Sequence, residues 1–117
     1  MQVQSALQEL GHKLQRASDV LRDPSERNRY RATEDLRRAR PDLLWVTLLR
    51  PGSHDPARIH QRRAEFVAAL VRTQASLNGL YVVEGRTNNR AWELEAMKRV
   101  RHDLKIKPQV VRWCSLG

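Results

Sequence analysis

Apolar residues along this chain follow two rhythms, one helical and one of short continuous runs. Over residues 2–22, Val3, Leu7, Leu10, Leu14, Ala17 and Leu21 recur in steps of four and three, the repeat of a single helical face. Gln4, Gln8, Lys13, Arg16 and Asp19 fall mostly off that stripe. The spacing predicts an amphipathic helix over 2–22, weakened at Gly11. Two uses of the stripe are open. It packs on the protein's own core, or it forms a homodimer seam of about three heptads through Val3, Leu7, Leu10, Leu14 and Leu21.

A second helix is expected over 24–39. Asp23 is placed to cap it, Pro24 to occupy its first position, and Glu26 to close a capping box. Only Tyr30, Ala32, Leu36 and Ala39 are available to pack, so most of this helix faces solvent. Arg27, Arg31, Glu34 and Arg38 share one face. That face is either solvated and held by local ion pairs, each contributing tenths of a kcal/mol, or a surface that contacts phosphates.

Pro41 ends the helix. The run Leu43–Leu49, LLWVTLL, is apolar without interruption, which predicts a central strand buried on both faces. Asp55 and Pro56 repeat the cap-then-proline signal before a helix over 56–77. Ile59, Phe66, Leu70 and Leu77 face inward on it, and Arg58, Arg62 and Arg63 lie outward near its start. Asn78-Gly79 is a stop signal. A second strand follows over 80–84, LYVVE, and a fourth helix over 89–104, with Ala91, Leu94, Met97, Val100 and Leu104 inward. Beyond Pro108, QVVRW at 109–113 reads as an edge strand.

The resulting expectation is an α/β (or α+β) fold in the order α-α-β-α-β-α-β. Residues 1–117 form a single basic domain with a helical part over 1–40 and a β-α-β-α-β part over 41–117. Strands separated by helices favour parallel pairing.

Charge changes this picture most. Lys plus Arg number 22 against 13 Asp plus Glu, for a net charge of +9. The excess is spread over the chain rather than held in a tail: residues 1–40 have nine basic and six acidic side chains, and residues 79–117 have eight and four. A body charged in this way attracts polyanions. Most of the cations are Arg, whose planar fork suits phosphate and carboxylate. The lone Cys114 excludes an internal disulfide or a cysteine metal cage. With a polar N-terminus and no long apolar run, it points to a cytoplasmic protein without a membrane partner.

Parallel strands place the turns after the first and second strands at one end of the sheet, where ligands of open α/β sheets bind. Those turns contain Arg50, Ser53, His54 and Asp55, and Glu84, Arg86, Thr87, Asn88, Asn89 and Arg90. The alternative use of Asp55 and of Asn88 or Asn89 is to cap helices. The expected anion or nucleic-acid contacts are Arg27, Arg31, Arg38, Arg50, Arg86, Asn88, Asn89, Arg90 and Arg99.

Signatures of catalysis are weak, and no cofactor is expected. No phosphate-binding glycine loop is present. His12, His54, His60 and His102 lack metal-ligand spacing. Asp42 before the first strand and Glu84-Gly85-Arg86 after the second resemble fragments of a metal-dependent nuclease, but Arg stands where a deprotonatable Lys is needed. Aromatics are 5% of the chain, and three of the six fall in predicted strands. This favours backbone contact over a base-stacking platform. The function expected is a non-enzymatic nucleic-acid binder, DNA or RNA. The alternatives are an interaction module for an acidic protein surface and, third, a small nuclease.

Overall fold

Lys13 meets Asp42 where a parallel sheet begins. The Asp42 carboxylate accepts the Lys13 backbone N–H at 2.8 Å, and the Lys13 carbonyl accepts the N–H groups of Asp42 at 2.9 Å and Leu43 at 3.1 Å. This clamp opens the first strand, β1, Leu14–Arg16. The computed structural model describes residues 13–17, 19–50 and 55–107.

After β1 come a 3₁₀ turn at Asp19–Arg22, helix α1 at Glu26–Ala39 and strand β2 at Leu43–Thr47. Helix α2 at Ala57–Ser76 and strand β3 at Leu80–Glu84 follow. A second 3₁₀ turn at Arg90–Glu93 leads into helix α3 at Glu95–Asp103. The three strands lie in the order β1-β2-β3, and both pairs are parallel. Leu14 is in register with Leu43 and Leu80, and Thr47 with Glu84. The mixed α/β class, the parallel pairing and the central place of β2 agree with the sequence.

The expected helix over 2–22 is corrected where it is described. Residues 14–16 are extended and 19–22 form a 3₁₀ turn, so the order begins β-α-β rather than α-α-β. The cause is long-range. Backbone bonds to Asp42, Leu43 and Trp45 supply residues 13–17 with partners that a local periodicity cannot register. A helical seam through Leu14 and Leu21 is excluded with it, and Leu21 is buried in the core. Val3, Leu7 and Leu10, and the expected strand at 109–113, lie outside the described residues.

Helix α1 starts one turn-half later than its capping signals suggest. Ser25, not Asp23, is the N-cap: its hydroxyl accepts the Asn28 N–H at 3.2 Å. Asp23 instead accepts the Ser25 N–H, and the Asn28 side chain donates to the carbonyls of Val20 and Asp23. The helix closes at Arg40, in the left-handed conformation with φ 45°. Helix α2 has Pro56 at its N-cap position, whose side chain offers no acceptor, while Asp55 pairs with Arg63 at 3.0 Å. Arg63 also donates to the Leu21 carbonyl, so it ties the first 3₁₀ turn to α2 instead of facing outward as expected.

The predicted helix over 89–104 is broken. Leu94 is extended, with φ −74° and ψ 148°, and it separates the 3₁₀ turn from α3. The Arg101 guanidinium donates to the Trp92 carbonyl at 3.0 Å and Trp92 Nε1 donates to the Arg86 carbonyl at 2.8 Å. These bonds hold the turn in a path that a continuous helix does not follow.

One core joins all three helices to one face of the sheet. Leu36 of α1, Phe66, Val67, Leu70 and Val71 of α2, and Met97 and Val100 of α3 pack with Leu44, Val46 and Leu48. Tyr81 and Val83 of β3 pack against the same cluster. Leu43 and Trp45 alternate onto the opposite face and are buried there too, as a continuous apolar strand predicts. Helix α2 lies between α1 and α3 and contacts both. Among the described residues, no helix is long and apolar enough to cross a membrane.

Candidate functional site

Each strand runs toward the end of the sheet from which the next helix departs, and each helix returns the chain to the opposite end. The carboxyl end therefore gathers the starts of α1, α2 and α3 with the segments after β2 and β3. Ligands of open parallel sheets favour this end.

Two contacts draw the segments after β2 and β3 together. Asn89 Nδ2 donates to the Leu49 carbonyl at 3.3 Å. Gly85 sits over Leu48 so closely that a Cβ there would lie 2.9 Å from Leu48 Cδ1. Arg50 adjoins one bonded residue and Arg90 the other, and the Arg86 carbonyl accepts from Trp92 within the same loop. The segments after β2 and β3 therefore meet through Asn89–Leu49 and Gly85–Leu48, with Arg50, Arg86 and Arg90 on or next to them in the chain. Ser53 and His54 lie outside the described residues.

Asn89 itself has a structural task. Its Oδ1 accepts the Ala91 N–H at 2.9 Å as the cap of the second 3₁₀ turn, and its Nδ2 is engaged with Leu49. Both ends of the amide are occupied, which is the capping use the sequence left open. Asn88 is exposed.

On α1, the core-facing side is marked by the buried Thr33 and Leu36. Arg27, Arg31 and Arg38 are exposed on the other side. At 100° per residue they fall within about 40° of arc and span about 16 Å of helix. Tyr30 stands beside them with 69% of its surface exposed. Because α1 runs against the strands, Arg27 lies at the carboxyl end of the sheet and Arg38 near the amino end.

Partners separate the cations into two sets. Arg29 lies between Glu26 and Glu65, Arg37 meets Glu34, Arg72 meets Asp103, and Lys98 meets Glu93. Arg99, one of the expected contacts, reaches Glu95 at 3.4 Å across an exposed helix turn. By contrast, the guanidinium groups of Arg27, Arg31, Arg38, Arg50, Arg86 and Arg90 make no ion pair or hydrogen bond among the described residues.

The carboxylates singled out for nuclease chemistry do not converge. Asp42 precedes β2 at the amino end of the sheet, engaged with the Lys13 N–H. Glu84 ends β3 at the carboxyl end, where its carboxylate accepts the Thr47 hydroxyl at 2.8 Å. About five residues of strand, roughly 16 Å, separate the two positions.

Cavities are minor. A hollow of about 50 Å³ between β1 and α1 is lined by Ala17, Val20, Ala32 and Leu36 among others, far below the ~300 Å³ of a small-molecule site. The chemistry on display belongs to an open surface. Comparison with protein families, with curated proteins and with solved structures returns no match to this chain.

Proposed function

We propose that this protein binds nucleic acid without catalysis, through phosphate contacts from Arg27, Arg31 and Arg38 on α1 and Arg50, Arg86 and Arg90 at the carboxyl end of the sheet. The observation behind this reading is that these six exposed guanidinium groups have no carboxylate partner among the described residues, a property shared by the exposed Arg16, Arg40, Arg58 and Arg62, on a body of net charge +9. An exposed arginine already paired with Glu or Asp must give up that partner to bind phosphate. An unpaired one gives up only water, and it displaces counterions from the nucleic acid as it binds. Rigid placement on a helix and on a hydrogen-bonded turn lowers the entropy lost on contact.

Titration of labelled duplex DNA, single-stranded DNA and single-stranded RNA over a series of salt concentrations tests the reading. Binding is expected at low salt, with log K falling linearly against log salt. The Arg86→Ala plus Arg90→Ala variant should bind more weakly with an unchanged thermal midpoint. Absence of binding to all three nucleic acids at low salt overturns the reading. Retention on polyglutamate under those conditions would point to an acidic protein partner in its place.

A further inference from the structure

We propose that the outer face of α1 is a single-strand site in which Tyr30 stacks on an unpaired base while Arg27, Arg31 and Arg38 hold the adjoining phosphates. This rests on the nucleic-acid reading above and names the form of nucleic acid that α1 recognises. Composition alone argued against a stacking platform, since aromatics are 5% of the chain. Their placement reverses that argument for one of them. Phe66 and Trp45 are buried, at 0% and 7% exposure. Tyr81 packs on the core, and Trp92 does so while its indole N–H is bound to the Arg86 carbonyl. Tyr30, 69% exposed, is the single exposed aromatic among the described residues.

Its neighbours fit the role. Arg27 precedes it by three residues and Arg31 follows it directly, and neither guanidinium has a partner among the described residues. Arg38 continues the row two turns further on. With Thr33 and Leu36 turned to the core, the three cations lie on the far side of the helix and Tyr30 on its flank, about 60–100° round from them, all on one rigid element. An aromatic face beside backbone-binding cations is the combination that unpaired bases require, because every base offers a π-face once it is out of a duplex. In a duplex those faces are covered by stacking, and an exposed tyrosine on a convex helix has nothing to stack upon.

The test compares the parent with Tyr30→Ala, Tyr30→Trp and the triple variant Arg27→Ala, Arg31→Ala, Arg38→Ala. The probes are short labelled oligothymidylate, oligouridylate and a blunt duplex DNA at low salt. Tyr30→Ala should weaken binding to the single strands by about five-fold or more and leave duplex binding within two-fold. Tyr30→Trp should restore single-strand affinity, since indole stacks at least as well. The triple variant should weaken all three probes. Comparable losses on both single strands mean a site for either sugar; loss on one alone assigns it to RNA or DNA. Equal affinity of Tyr30→Ala and the parent for single strands overturns the proposal, as does equal loss on duplex and single strand. If Arg86→Ala plus Arg90→Ala weakens binding while Tyr30→Ala does not, the broader reading survives and the α1 site does not. Because Tyr30 is exposed, an unchanged circular dichroism melt is expected for Tyr30→Ala and excludes misfolding as the cause of any loss.

Discussion

Asn89 joins the segments after two parallel strands by donating from Nδ2 to the Leu49 carbonyl, 3.3 Å away, while its Oδ1 caps the 3₁₀ turn at Arg90–Glu93. One short amide thus sets the spacing between Arg50 on one loop and Arg86 and Arg90 on the other. Substitutions there separate the two tasks. Asn89→Ala should destabilise the protein by about 1 kcal/mol, the usual cost of losing a cap. For a domain of this size that is a fall of roughly 4 °C in Tm. Asn89→Asp keeps the acceptor and loses the donor, so it should retain most of the stability. It should still weaken anion binding, because the loops lose their tie and gain a negative charge. Thermal melts and salt titrations on both variants check this. Equal stability loss in the two would assign the contribution to the Leu49 bond rather than the cap.

Gln74 and Gly79 form a second dependent pair. The Gln74 side chain is fully buried, and its Nε2 donates to the carbonyls of Pro41 at 2.9 Å and Leu80 at 3.1 Å. It therefore fastens the end of α2 to the starts of β2 and β3. A Cβ at residue 79 would lie 2.1 Å from that nitrogen, so the amide would have to shift away from the carbonyls it serves. Gln74→Leu should cost about 1–3 kcal/mol by removing the buried donor that serves the Pro41 and Leu80 carbonyls. Gly79→Ala should cost a similar amount by expelling the amide. Since both changes break the same contact, the double variant should lose clearly less than the sum, measurable by a denaturant double-mutant cycle. Strict additivity would show that Gly79 is needed for another reason.

The pH dependence of α3 docking should follow Asp103. Its carboxyl is held below the ordinary value of 3.8 by the hydrogen bond from Arg72, with a smaller contribution from His102. A carboxylate with a depressed folded pKa adds stability above its unfolded pKa, and that stability is lost as pH falls through the folded value. The contribution should thus be complete at neutral pH and disappear below about pH 4. Asp103→Asn should flatten the acid limb of the stability profile in that window. A parallel shift at all pH values would instead indicate a packing role. The pair is exposed, so the effect is small.

Among the acids on α1, Asp35 opposes the proposed site most directly. It is exposed and without an ion-pair partner among the described residues, one turn beyond Arg31, whereas Glu34 is engaged by Arg37. Asp35→Asn should tighten nucleic-acid binding by about two- to five-fold at low salt, and the gain should fade as salt screens it. Fluorescence anisotropy at two ionic strengths measures both parts. An unchanged or weaker affinity would place the bound strand elsewhere than on this face.

Where chain-local rules suffice, residues alone located the elements closely. The uninterrupted LLWVT run, the Asn78-Gly79 stop and the LYVVE strand each stand where their side chains direct, because burial on both faces and a left-handed turn leave little choice. The outward row of Arg27, Arg31 and Arg38 was equally legible from a 3.6-residue period. What the period at residues 14–21 could not convey is that Lys13–Ala17 obtains backbone partners about 29 residues later in the chain. Ala17 and Leu21 are buried as a helical stripe would bury them, but just after a strand and in a 3₁₀ turn. The same limit concealed which arginines are already paired, since Arg29 and Glu65 or Arg72 and Asp103 meet only after α1, α2 and α3 pack. Composition and periodicity determined a basic α/β body with an arginine-bearing helix. Tertiary structure decided which cations remain without a partner and which aromatic stays in water, because ion pairing and burial depend on neighbours that lie far apart in the chain.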